Sequence, residues 1–584
     1  MRFNDYAWFT SFQITKRKQS SVKILFRDEV PPLLSKNKFG YVLHLPKPWR
    51  VLGRQPKYLD IPFDLGEASH CRMIWGLFRA SVYHLSLHVK ASDYSLYSDW
   101  IREKDHRLSP FVISLLEDAS LNAYLRVFWS TLIPAIAYAN ALSYLLLKPA
   151  ELIPREQVRL MAAILSASTL RLIKGRLEES IHEDAMRVVS YLRGVEEMFY
   201  EQYLLRKEDI IRGEDNAEQM NDEVAMRKLN YANRIYEVLA KYGSPPDAQA
   251  LPYTEHHGRA TIFMKRLPDE EEKLLRLSQR AAMILNPEAE ASFEGSVGFV
   301  DNEAEQNISD WLAFEERKEK ILSHYVEVDK DTRFRSFSFP DEDYAEFLRR
   351  REFLSGPIRQ TLMRVLVYQN TLGEDPRKMV GTLDLQEAIQ VIVSKSSRTD
   401  VFMADDFQGR QMIWGILVDV SRSLKAFTGE EKDVVLCLAE VVKEMISEPD
   451  AWGIFAFDSN FYIVKDFSEN YTDDVRARIG GLRSTGLTYL PDAVKLMTKV
   501  MGQRHEENKV LVVISDGFPT GYEGVEDQLL KNVQEALQQG IGVIGIGIGS
   551  RAMERYFRIN CVVDTPQDLM NRFVRTFFEY TAML

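Results

Sequence analysis

The stretch "ILVDVSRSL" (416–424) decides how the C-terminal part of this chain folds. Ile416, Leu417 and Val418 form an apolar run that stops at Asp419, and Ser421 and Ser423 follow at alternate positions. A short apolar run bounded by polar residues reads as a strand covered on both faces. The surrounding residues repeat this grammar: strands at "MIWGILV" (412–418), "WGIFAF" (452–457), "KVLVVIS" (509–515) and "IGVIGIGI" (541–548) alternate with helices at "DVVLCLAEVVKEMI" (433–446), "DAVKLMTKVM" (492–501) and "VEDQLLKNVQEALQQG" (525–540). In the first helix Val434, Val435, Leu438, Val441, Val442 and Met445 line one face, and Gly540 stands where the last helix needs a C-cap. Such alternation predicts βαβ units and a doubly wound parallel sheet, which binds ligands at the carboxyl ends of its strands.

Asp419 falls at that edge, with Ser421 and Ser423 in the loop after it. Asp516 ends another predicted strand in "VLVVISDG", and "STGLTYLPDAV" (484–494) supplies Thr488 ahead of a helix. Two carboxylates and three hydroxyls are hard oxygen ligands. They suit Mg²⁺, with Mn²⁺ and Ca²⁺ as alternatives, and do not suit zinc. "DVSRS" alone reads more readily as a helix N-cap. The ordered combination of D-x-S-x-S, a later Thr before a helix and S-D-G after a strand favours the metal.

These residues resemble the von Willebrand factor A fold with its metal-ion-dependent adhesion site, and all five positions of that motif are filled here. "GTLDLQEAIQVIV" (381–393), "KDFSENYTDDVRARIGGL" (465–482) and "SDGFPTGYEGVED" (515–527) narrow the resemblance to A-domain proteins of the NorD/CbbO type, named for nitric-oxide-reductase and Rubisco activation. "FVISLLEDASLNAYL" (111–125) is similar to the N-terminal region of that family more loosely. The resemblance implies a non-enzymatic adaptor. Its partners would be a hexameric AAA+ ATPase of the MoxR class and a target metalloenzyme or Rubisco-like protein. The alternative is a chelatase-type subunit that assists metal insertion into a tetrapyrrole, and the acidic stretch 286–307 fits that weakly.

The chain has 584 residues, too many for one core. Residues 1–70 mix short β-type runs with basic residues, and 71–240 carry helical periodicity. Residues 241–380 read as a linker (243–260) and a charged helical region, with an aperiodic, mobile acidic stretch at 286–307. The A domain with its lead-in fills 381–584. A net charge of -11 argues against a nucleic-acid binder held by bulk charge. Three cysteines, Cys71, Cys437 and Cys561, contain no C-x-x-C pair, which fits a reducing compartment. The first residues, "MRFNDYAWFT", lack the apolar core of a signal peptide, so a cytoplasmic location is expected. "VFWSTLIPAIAYANALSYLLL" (127–147) is long enough for a membrane span, but its Pro134, Asn140 and hydroxyls favour a buried helix. Membrane association is therefore expected only through the target.

Other constellations carry less. His84 and His88 lie four apart in "YHLSLH", with Glu117 and Asp118 some thirty residues later. Leu85 occupies the place of a zincin's catalytic Glu, so protease chemistry is set aside. Packing and hydrogen bonding are preferred there over metal binding. "GIGIGS" (545–550) lacks dinucleotide spacing, and no G-x-x-x-x-G-K-[ST] occurs, so any energy from nucleotide hydrolysis is expected from a partner. Ser421 and Ser423 have no nucleophile-elbow pattern.

Overall fold

The computed structural model describes residues 3–576 apart from 29, 51–53, 256–260, 288–303, 330, 373, 380–381, 406–411, 447, 507, 564 and 566–571. The chain divides into two compact units, Met1–Glu316 and Arg317–Leu584. The division falls inside the helix Ala304–Val328. Most of the acidic stretch 286–307 lies outside the described residues.

The first unit is mainly helical. Its longest helix, Glu179–Leu205, buries Ile181, Ala185, Val188, Leu192, Val195, Phe199 and Tyr203. These recur at steps of three and four, a continuous stripe that packs on the helices Ser109–Phe128 and Glu156–Leu170. The β-type runs near the start form a three-stranded sheet, with Gly40–Pro46 between Val22–Arg27 and Leu33–Asn37. Stretch 127–147 is interrupted. One helix ends at Phe128, a short turn covers Ser130–Leu132, and a second helix, Ile133–Leu146, starts with Pro134 in its first turn. At 14 residues that helix is about 21 Å long, short of the ~30 Å of a bilayer core. No helix among the described residues is long and apolar enough to cross a membrane. The Pro- and Gly-rich stretch after residue 243 is folded into this unit: the Tyr253 hydroxyl donates to Asn140 Oδ1 (2.6 Å), and the Leu34 amide donates to Glu255 Oε1 (3.3 Å).

The second unit is built on a seven-stranded sheet. From one edge the strands run Ile559–Val563, Ile541–Ile548, Asn508–Ser515, Met412–Asp419, Trp452–Phe457, Phe461–Lys465 and Phe337–Ser338. All neighbours are parallel except Trp452–Phe457 and Phe461–Lys465, which form an antiparallel hairpin. Side chains alternate across the central strand. Trp414, Ile416 and Val418 meet Val434, Val435, Leu438, Val441 and Val442 of the helix Thr428–Met445. Ile413 and Leu417 meet the other face, where the helices Leu490–Gly502 and Val525–Gln538 supply Leu496, Met497, Leu529 and Val533. Burial on both faces is why these strands read as unbroken apolar runs. Gly540 ends the helix Val525–Gln538 with φ near +75°, as its position as a cap requires.

Candidate functional site

Parallel pairing aligns the carboxyl ends of three central strands. Asp419 pairs with Phe457 in register, and Val418 with Ile514. Asp419, Asp458 and Asp516 therefore emerge at one edge, each just where its apolar strand stops. Asp419 is fully buried. Its Oδ1 accepts from the Ser421 amide (3.0 Å) and its Oδ2 from the Ser515 hydroxyl (2.6 Å). The first of these bonds closes a tight turn that sets the Ser421 and Ser423 hydroxyls 2.9 Å apart. Ser421 is buried, whereas Ser423 is exposed.

Asp516 is buried, and its Oδ1 accepts from the Phe518 amide at 3.1 Å. The glycine of S-D-G is required by the backbone: Gly517 has φ near +78°, and a Cβ there would lie 2.7 Å from the Met553 nitrogen. Thr488 is buried before its helix. The Thr488 amide donates to Thr520 Oγ1, and the Thr520 amide donates to the Thr488 carbonyl, both at 3.2 Å. On its other side the same loop bridges to the first serine loop. The Thr485 amide bonds the Val420 carbonyl (2.8 Å), and the Arg422 amide bonds the Gly486 carbonyl (3.1 Å). The threonine loop is thus tied to the loops of both aspartates.

Three further residues belong to this edge and were not singled out from sequence. Ser515 orients Asp419, as above. Asp458 is fully buried and accepts from Thr485 Oγ1 (2.6 Å) and the Asn460 amide (2.6 Å), so it holds the threonine loop. Glu431, in the first turn of the helix Thr428–Met445, is buried and accepts from the Ser484 hydroxyl at 3.3 Å.

The charge balance is one-sided. Burial pushes the Asp419 carboxyl up to about 7, and the Asp516 charge adds to the rise; the hydrogen bonds from Ser515 and Ser421 oppose it. Burial and the Asp419 charge also hold Glu431 well above the usual carboxylate range. Among the described residues no lysine or arginine forms an ion pair with Asp419 or Asp516. A set of buried oxygen donors with excess negative charge fits a hard divalent cation.

Residues 415–579 match the von Willebrand factor type A domain, the class that this sheet and its edge define. The chain is 27% identical over 179 residues to the protein NorD of Stutzerimonas stutzeri, covering 27% of this chain and 29% of that one. It is 24% identical over 175 residues to an uncharacterised protein of Pseudomonas aeruginosa, covering 27% and 28%. The match thus spans less than a third of these curated relatives. Similar solved structures include the manganese-loaded Plasmodium vivax TRAP protein (16% identity, TM-score 0.24, 29% of this chain and 72% of that one). Another is proximal thread matrix protein 1 of the mussel byssus, with a zinc-occupied metal-ion-dependent adhesion site (14% identity, TM-score 0.25, 29% and 48%). The C-terminal part of this chain is a von Willebrand factor type A domain, and the chain is similar to NorD over part of its length.

Proposed function

We propose that the chain is a non-enzymatic adaptor. Its A domain engages a target protein through a divalent cation, and a hexameric AAA+ ATPase of the MoxR class supplies the work. The observation that carries this reading is the pair of buried carboxylates, Asp419 and Asp516, set among hydroxyls without a basic partner among the described residues. Asp419, Ser421, Ser423, Thr488 and Asp516 would hold the ion, with Mg²⁺ as the expected occupant and Mn²⁺ or Ca²⁺ as alternatives. A bound ion supplies a coordination position that a carboxylate from a target can take, because small hydroxyl ligands leave its charge under-neutralised. The similarity to NorD supports a metalloenzyme target of the nitric-oxide-reductase-activation or Rubisco-activation type.

The test is reconstitution. The full chain, mixed with a MoxR-class ATPase, should co-elute in size exclusion and change the rate of ATP turnover. Asp516→Ala should still co-elute with the ATPase yet fail to activate the target. Robust ATP hydrolysis by the purified chain alone would defeat the adaptor reading. Activity toward a tetrapyrrole in place of a protein target would favour a chelatase-type role.

A further inference from the structure

The helical unit holds a second cluster of donors. His84 and His88 lie one turn apart on the helix Ala68–Ala91, so both rings share a face. The helix Ser109–Phe128 brings Asp118 against them. The Nε2 atoms of His84 and His88 are 2.9 Å apart. Asp118 Oδ1 lies 3.2 Å from His88 Nε2 and 3.3 Å from His84 Nε2.

With the Asp118 carboxylate ionised, every choice of tautomers leaves at least one edge of this triangle without a hydrogen bond. If both Nε2 atoms carry protons, two donors face each other at 2.9 Å. If either is bare, its lone pair faces the carboxylate oxygen. A cation at the centre satisfies all three edges at once. The size fits: bonds of about 2.0–2.1 Å place neighbouring ligands ~2.9 Å apart in an octahedral shell and ~3.3 Å apart in a tetrahedral one.

The surroundings support a preformed site. His88 Nδ1 lies 2.7 Å from Ser92 Oγ and 3.3 Å from the Tyr94 hydroxyl. That hydroxyl donates its proton to Glu255 Oε2 (2.8 Å), so it presents lone pairs to the ring. An Nδ1–H tautomer answers those lone pairs and leaves Nε2 bare, as a metal requires. His84 and Asp118 also line a cavity of about 70 Å³, which reaches the polar side chains of Asn122, Asn140 and Thr169. That volume accommodates a few waters.

We propose that His84, His88 and Asp118 bind one first-row transition-metal ion, with the remaining coordination positions turned toward the cavity and taken by water or a small polar ligand. Two imidazoles and one carboxylate select Zn²⁺, Fe²⁺ or Co²⁺ over Mg²⁺. This site is separate from the oxygen-only edge of the A domain and does not depend on the adaptor reading.

The test uses the full chain carrying Asp419→Ala, which silences the A-domain site, stripped with chelator and titrated with Co²⁺ and with Zn²⁺. One equivalent should bind, with visible Co²⁺ absorption bands and a Zn²⁺-dependent rise in melting temperature. Adding His84→Gln or Asp118→Asn should weaken binding by about 100-fold or more and remove the bands. Asp118 is 27% exposed, so its near-isosteric replacement is the safer variant should the buried histidine change impair folding. Unchanged stoichiometry and affinity in Asp118→Asn, or no Co²⁺ and Zn²⁺ binding before either change, would overturn the proposal.

Discussion

At neutral pH the Asp419 carboxyl, with its pKa pushed up to about 7 by burial, is only partly ionised. In the metal-free fold it therefore holds a proton that the unfolded chain releases near its ordinary value. The folded state binds the extra proton between those two values, so stability falls as pH rises through that window. A bound cation reverses the preference by displacing the proton. Apparent Mg²⁺ affinity should thus be about tenfold weaker at pH 6 than at pH 8. Melting curves with and without Mg²⁺ read this directly, and Asp419→Ala should lose the Mg²⁺-dependent shift at both pH values. A wild-type shift independent of pH would contradict it. Asp419 and Asp516 were legible because each ends an apolar run. Asp458 follows the same pattern in "FAFD" and was within reach of that rule. Glu431 was not, because an acid in a first helical turn is ordinary and its burial depends on a fold that the local sequence does not encode.

The four core strands and three helices of the A domain were readable as elements, since burial on both faces leaves continuous apolar runs. Their order was not. Met412–Asp419 sits between Asn508–Ser515 and Trp452–Phe457, a pairing set by contacts 38 and 96 residues away in sequence. The hairpin partner Phe461–Lys465 was also missed, as five residues next to an already assigned strand give little period to count. The threonine loop shows how elements are fixed to one another. A Cβ on Gly486 would lie 2.6 Å from Asp458 Oδ2 and 2.8 Å from Ser459 Oγ. Gly486→Ala should therefore shift the loop, cost about 1–3 kcal/mol in urea unfolding, and weaken Mg²⁺ binding in the same samples. In the helical unit, Lys228 Nζ meets Glu117 Oε1 at 2.6 Å with both side chains almost fully buried, which joins the helices Asp222–Ala240 and Ser109–Phe128. Lys228→Ala leaves that carboxylate without its cation and should cost about 3–5 kcal/mol. A loss below ~1 kcal/mol would mean water already reaches the pair.

Composition and motif spacing separated a helical N-terminal region from a C-terminal A domain, but not the way the chain closes each unit. Tyr253 and Glu255 lie in a stretch whose Pro and Gly content reads as a linker, yet they bond Asn140 and Leu34 within the first unit. A cut at residue 240 would open that core. Removing residues 1–303 spares the helix Ala304–Val328, whose Tyr325 hydroxyl donates to Asp466 Oδ1 at 2.6 Å. If the helical unit carries the ATPase contact, this shortened chain should lose co-elution with the ATPase and keep its Mg²⁺-dependent melting shift. Retained co-elution would move the contact to the A domain. The far side of the sheet bears on how such pieces are cut. Phe337–Ser338 pairs with Phe461 and Tyr462, the Ser336 carbonyl receives the Phe461 amide, and the Arg478 guanidinium donates to the Val464 carbonyl. Together these cover the outermost long strand, which would otherwise offer its free amides and carbonyls to another molecule. A fragment begun at residue 381 lacks the Phe337–Ser338 cover and should turn cloudy with concentration, as bare rims zip together between copies. One begun at 304 should stay clear under the same light-scattering measurement.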